Sequence, residues 1–369
     1  MKNKEKFTGG IFFVLAILVV VFIVARIYSF HFGSEKKQII AGAVFIGKCD
    51  DNGWNESHYR GISLACKRHD GGLEVMEQVS EDRDHIKAAI RKLVNRGSSV
   101  IFLTSFGYGR YAADIAKEFP NVAFYCISGE EKTRNCTSYF ARMYQVRYLS
   151  GIVAGAASKT GIHGVVAAMP VSETNRGINA YTLGVRRSDP DARVIVCFTG
   201  SWQDERAEEK AVRLLAKEGA DVITYHEDKA YAIDTAEELG LYSIGYNGVY
   251  GDYSDRFLTA AVFDWKALYE RVLGDYMRGR TNFADGYWLG LSENVVSLYP
   301  YSDLVSKKTR KLVEREKARI QTWRDVFSGE IYDNTGVLRC GADERIRDEE
   351  LFNKMEWFVD GVEIYGDDQ

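Results

Sequence analysis

Five short segments of the 369-residue chain concentrate side chains able to grip a ligand. Gly47-Lys48-Cys49-Asp50-Asp51-Asn52-Gly53-Trp54-Asn55 sets two carboxylates, two amides and an indole just ahead of a helical pattern. The exposed N–H groups of a helix N-terminus receive electronegative ligand atoms, although the same residues would also serve as a helix cap beside a core tryptophan. In Thr104-Ser105-Phe106-Gly107-Tyr108-Gly109, glycines allow close backbone approach and two aromatics offer flat faces. Thr199-Gly200-Ser201-Trp202-Gln203-Asp204 repeats the first theme, an indole beside amide and carboxylate groups. Tyr225-His226-Glu227-Asp228-Lys229 adds polar groups, as does Gly245-Tyr246-Asn247-Gly248. Two indoles on opposing loops could sandwich a flat ring while neighbouring donors and acceptors read its edge. The expected ligand-binding residues are Asp51, Trp54, Asn55, Phe106, Tyr108, Trp202, Asp204, His226, Asp228 and Asn247.

A catalytic reading competes poorly. His226, Asp228 and Asp204 could be drawn as acid and base, and Cys49 as a nucleophile. The chain has no nucleophile elbow, no Walker loop, no G-x-G-x-x-G after its first strand and no H-E-x-x-H. The six cysteines have neither C-x-x-C nor Cys/His metal spacing, so no metal or cofactor is implied. Most read as buried thiols. Cys126 and Cys136, separated by a short polar stretch, are the one pair that could form a disulfide.

The elements that must carry these loops alternate in a β-α rhythm. Strands are expected at 39–46, 73–78, 100–103 and 122–127, with helices at 57–69, 81–95 and 111–118. A helix over 142–159, with Gly151, Ala154, Gly155 and Ala156 on one face, leads to a second series. Its strands are expected at 164–168, 193–198, 222–225 and 242–246, with helices at 174–188, 204–218 and 230–239. Segments 258–263 and 287–291, with a helix over 265–278, read as crossovers between the halves. The expectation is an α/β protein of periplasmic-binding-protein type, two doubly wound parallel-sheet lobes with ligand held between them. Lobe 1 is placed at 38–141 plus 264–286 and lobe 2 at 142–263 plus 287–369. A tail from Ser302 carries a charged helix to about 328, an Asp-Asn-Thr-Gly turn and a last helical piece over 348–358 that packs through Leu351, Met355 and Trp357.

Composition agrees with a folded protein: 46% of residues are apolar, 27% are charged and only four are proline. The net charge of -4, with no long basic stretch interleaved with aromatics, argues against nucleic acid as a partner. At the N-terminus, Lys2, Lys4 and Lys6 precede an unbroken apolar run from Gly10 to Ala25. With the tolerant residues from Thr8 to Phe32 this is enough for one transmembrane helix across about 30 Å of bilayer. No small-x-small cleavage site follows, so residues 1–37 are read as an uncleaved anchor and linker holding an exported domain at the cell membrane. A cleaved signal peptide is the alternative.

Laid end to end, the loops resemble those of the basic membrane protein, or PnrA-like, family of ABC-importer substrate-binding proteins, from about Ile40 to Gly361. The matching segments are VFIG and DNGWN, TSFGYG, ARMYQVRYLSGIVAG, GINAYTLGV, GSWQD, ADVITYHED, YSIGYN, LTAAVFDW and DGYWLGL. The resemblance implies a binding protein, not an enzyme, that takes a purine base or nucleoside and hands it to a permease driven by an ATPase subunit. By the same resemblance, Trp54 and Trp202 stack on the base, Asn55 contacts base or sugar, and His226 and Asp228 meet the ring edge. Tryptophan at both stacking positions is closer to members that take a free base. Asn247 stands where nucleoside binders use an aspartate on the ribose hydroxyls, which puts ribose recognition in doubt. No lipid-accepting cysteine follows the apolar run, since the first cysteine is Cys49. A helical tether fits a transport receptor and equally a sensory or regulatory domain using the same cleft.

Overall fold

The structure is a computed structural model that describes residues 21–22, 38–127, 129, 131–322 and 324–366. The chain from Ile40 onward is one compact unit. Its first half runs β1 (Ile40–Val44), α1 (Trp54–Arg68), β2 (Gly72–Met76), α2 (Arg83–Asn95), β3 (Val100–Leu103), α3 (Gly109–Glu118), β4 (Ala123–Ile127) and β5 (Cys136–Ala141). The second repeats the pattern with α4 (Met143–Ala157), β6 (Ile162–Ala167), α5 (Ser172–Ser188), β7 (Arg193–Phe198), α6 (Glu205–Lys217), β8 (Val222–His226), α7 (Tyr231–Glu238), β9 (Tyr242–Asn247) and β10 (Phe257–Phe263). Then come α8 (Trp265–Met277), β11 (Tyr287–Leu289), β12 (Val296–Leu298), α9 (Lys307–Ile320), β13 (Ile331–Tyr332), β14 (Leu338–Cys340), α10 (Asp348–Asn353) and β15 (Val362–Ile364).

Continuous apolar runs make the central strands because both faces of each sheet are covered by helices. Val100, Ile101, Phe102 and Leu103 of β3 are all fully buried. The first sheet has the order β11-β5-β4-β3-β1-β2 and the second β12-β10-β9-β8-β6-β7-β15. Every pairing in these two sheets is parallel except β10 with β12. The strand order 2-1-3-4-5 of the first sheet recurs as 7-6-8-9-10 in the second. In each, the order reverses beside the first strand, which opens a crevice at the carboxyl ends of the strands.

α4 enters the second lobe packed on α5 at very short range. A Cβ on Gly184 would lie 2.0 Å from the carbonyl oxygen of Tyr148, and one on Gly151 would lie 2.2 Å from that of Tyr181. The small-residue face read from the sequence is therefore a backbone-to-backbone contact. The chain returns to the first lobe through α8, whose Tyr269 ring packs edge-on against Phe102 at 4.9 Å.

Several expectations need correction. The boundary drawn at 286/287 gives residues 287–289 to lobe 2, yet β11 pairs in parallel with β5 in the first sheet. Neither β5 nor β12 was foreseen. α9 stops at Ile320 and α10 at Asn353, both shorter than the helices expected there. After them β15 adds an edge to the second sheet beside β7. Cys126 and Cys136 are buried free thiols. They lie on adjacent strands but out of register, Cys126 opposite Ser138 and Cys136 opposite Phe124, so they are not cross-strand partners. The expected transmembrane helix falls within 1–37, almost all of it outside the described residues. Among the described residues no helix is long and apolar enough to cross a membrane.

Candidate ligand-binding cleft

A cleft of about 670 Å³, counting its open mouth, lies where the carboxyl ends of the two sheets face each other. The first lobe contributes Ile46, Trp54, Glu81, Ser105, Phe106, Gly107, Ile127 and Phe140; the second contributes Glu173, Trp202, His226, Glu227, Asp228 and Tyr246. Each follows or ends a strand, which is why residues far apart in sequence meet here.

Trp54 opens α1, and its indole Nε1 donates to the carbonyl of Thr104 at 2.8 Å. Edge-to-face contacts with Trp265 at 5.5 Å and Phe263 at 6.1 Å hold the ring in place. Trp202 comes from the loop after β7. Its carbonyl accepts the Asp228 N–H at 2.9 Å, which ties that loop to the one after β8. Phe106, 44% exposed, adds a third aromatic surface.

The polar side of the cleft is acidic. Glu81 is anchored by the Ser105 hydroxyl and by the Gly107 N–H at 2.8 Å. His226 is buried, with Nε2 3.1 Å from the Tyr246 hydroxyl and 3.8 Å from a Glu173 oxygen. Burial holds its ring below the usual histidine range, so it is neutral near pH 7. The Asp228 carboxyl is pushed up to about 7 by burial first, then by the charges of Asp51, Glu173 and Glu81. Burial likewise pushes Glu227 up to about 9, although its Oε1 accepts from the Thr199 hydroxyl at 2.8 Å. Behind Tyr246, the buried Arg147 guanidinium sits 5.7 Å from that ring and donates to Thr224 Oγ1 at 2.8 Å, placing positive charge behind the acidic wall. Among the described residues no group of acidic, cysteine and histidine side chains could hold a metal ion.

The structure brings Trp54, Phe106, Trp202, His226 and Asp228 of the expected set together, and leaves the other five off the cleft wall. Asp51 accepts the N–H groups of Gly53 at 2.9 Å and Glu56 at 3.0 Å, working as a cap for α1. Asn55 is buried against Asp51 Oδ2 at 2.8 Å and receives the Gly47 N–H at 3.2 Å, which fixes the loop. Tyr108 is fully buried, its hydroxyl donating to the Val79 carbonyl at 2.6 Å. Asp204 caps α6 through the Ala207 N–H. Asn247, in the left-handed region at φ 65°, donates from Nδ2 to the Tyr250 hydroxyl at 2.8 Å. Glu81 and Glu173 were missed because only some strand-end loops were read; the loops after β2 and β6 occupy the same position in the fold.

Residues 39–326 match the family profile described as ABC transporter substrate-binding protein, PnrA-like. The chain belongs to this family. It is 31% identical to a purine-binding protein of Brucella abortus over 92% of this chain and 98% of that one. A candidate ABC-transporter glucose-binding protein of Haloferax volcanii is 29% identical over 89% of this chain and 82% of its own length. Among solved structures, a transcriptional activator from Bacillus halodurans superposes with a TM-score of 0.69 at 25% identity, covering 77% of this chain and 98% of that one. Membership makes this PnrA-like chain a substrate-binding protein of ABC-transporter type, not an enzyme. It also accounts for a cleft with flat aromatic walls.

Proposed function

We propose that this PnrA-like protein clamps a purine, as the free base in preference to the nucleoside, and delivers it to an ABC permease from outside the membrane to which its N-terminal segment anchors it. The observation that carries the reading is the convergence of Trp54 and Trp202, from opposite lobes, on one cleft whose remaining polar groups are mostly carboxylates. Flat apolar walls suit a heteroaromatic ring, and carboxylates accept from its N–H edge. A phosphate needs cations, and no lysine or arginine is among the residues lining this cleft; a sugar would use the same aromatics and carboxylates, which is why glucose belongs in the titration panel. The purine-binding relative supports the ligand class. Asn247 supports the base over the nucleoside, since its amide is spent on Tyr250. Asp51, Asn55, Tyr108 and Asp204 then act by shaping the loops.

Isothermal titration of a fragment from residue 38, stripped of carried ligand, against adenine, guanine, hypoxanthine, xanthine, adenosine, guanosine and glucose tests this. Tight binding of one or more bases, with nucleosides at least tenfold weaker, is expected. Tight glucose binding with no base bound would sink the purine reading, and nucleosides equal to bases would sink the preference. The Bacillus halodurans neighbour favours a regulatory role as the second reading. In that case the ligand would be bound as tightly, but reconstituted permease and ATPase would show no stimulation by the loaded protein.

A further inference from the structure

Gly53 lies in the loop ahead of α1, on the first lobe, and its backbone is pressed against the second. A Cβ placed on it would lie 2.5 Å from the Asp228 carbonyl oxygen and 3.2 Å from the Lys229 side chain. Lysine can swing aside, whereas the carbonyl cannot, because the Asp228 N–H is fixed to Trp202 at 2.9 Å. A second cross-lobe link lies beside the first: the Tyr250 hydroxyl donates to the Gly53 carbonyl at 3.4 Å while receiving Asn247 Nδ2 at 2.8 Å. Asn247 Oδ1 in turn receives long hydrogen bonds from Ser57 of α1 and Trp265 of α8, both 3.5 Å. Neither Gly53 nor Tyr250 lines the cleft, yet together they close its edge next to Asp228.

We propose that Gly53 and Tyr250 are positioning residues, a clasp that holds the lobes shut once the ligand is in place, with Gly53 required because only a residue without a side chain lets the two backbones meet. The clasp rests on the reading of the cleft as a clamp around a small ligand. It acts after encounter, so it governs release more than capture. Asn247, which the sequence suggested as a ligand contact, braces the clasp through Tyr250.

The test uses the full chain in detergent, stripped of ligand, with adenine as probe. Stopped-flow release is followed for wild type, Gly53→Ala, Gly53→Val and Tyr250→Phe, and small-angle scattering is recorded with and without adenine. Gly53→Ala is expected to speed release about tenfold or more, with the association rate and the ligand-free melting temperature unchanged. Tyr250→Phe, which keeps the ring, should give a smaller change in the same direction. Unchanged release in both variants overturns the clasp. With adenine bound, Gly53→Val should have the larger radius of gyration, and equal radii overturn the clasp. If wild type ignores adenine, release of glucose is followed instead: faster release from Gly53→Ala leaves the clasp standing and the purine fallen, and unchanged release overturns the clasp.

Discussion

Trp54 and Trp202 face the same cleft from very different supports. Trp54 is tied by its N–H to Thr104 and wedged among His58, Phe263 and Trp265. The one ring contact of Trp202 among the described residues is with His226 at 6.3 Å. Trp202→Ala should therefore weaken purine binding about tenfold or more, the worth of one stacking face, and leave the melting temperature nearly unchanged; calorimetry and thermal denaturation on the same samples check both. Asp228 makes a second prediction. With its carboxyl at about 7, it accepts from a purine N–H far more strongly when ionised, so affinity should fall as pH drops below about 7, by up to tenfold per unit, and level off above. Burial sets most of that midpoint, the charges of Asp51, Glu173 and Glu81 raise it further, and Lys229 lowers it. Glu227 titrates higher, so Asp228→Asn should flatten the profile between pH 5.5 and 7.5, roughly the interval about that midpoint. A slope that survives the substitution would assign the titration to another group. At this scale the sequence pointed to Trp54, Phe106, Trp202, His226 and Asp228, which line the cleft, but could not tell Phe106 from the buried Tyr108 two residues on. It misled wherever a polar side chain stood beside a helix start, as Asp51 and Asp204 do, because the unpaired backbone N–H groups there claim the carboxylate first.

Among the elements, the α4–α5 pair shows what glycine spacing encodes. Gly151 and Gly155 of one helix and Gly184 of the other let carbonyls approach to distances no Cβ tolerates. Gly184→Ala must push the helices apart or distort them, at a cost of about 1 to 3 kcal/mol or more, read as a melting temperature lowered by several degrees. An unchanged melting temperature would mean that the two helices are less tightly packed than described. This contact was legible as a small-residue face. The long β-α repeats were legible too, since each strand is an apolar run bounded by turns. The strands that escaped are short or polar: β12 has three residues, and β5 reads Cys-Thr-Ser-Tyr-Phe-Ala, with polar Thr137 and Ser138 buried in the sheet. β11 was seen as a segment but given to the wrong lobe, since a three-residue strand joins whichever sheet edge the crossovers leave open. The C-terminal stretch beyond the family match is held by side chains far upstream in sequence. Asn179 bonds the Trp357 carbonyl and the Val359 N–H, and Arg142 forks onto Asp348, pairings that no local pattern records.

Across the whole molecule, duplication of one strand order produces the function. Two crevices, each formed where a sheet reverses its order, face one another and become a single cleft, and the clasp at Gly53 and Tyr250 joins their rims. The fold class followed from the repeated rhythm alone, whereas closure depends on contacts between loops some 175 residues apart, such as Gly53 with Asp228. The most direct test of the central claim is a crystal structure of the chain in complex with the base that binds tightest in the titration panel. The purine ring is expected between the Trp54 and Trp202 indoles, within about 4 Å of each, with its N–H edge toward Asp228 and the lobes shut over it. A ring bound elsewhere, or stacked on neither tryptophan, would contradict the claim.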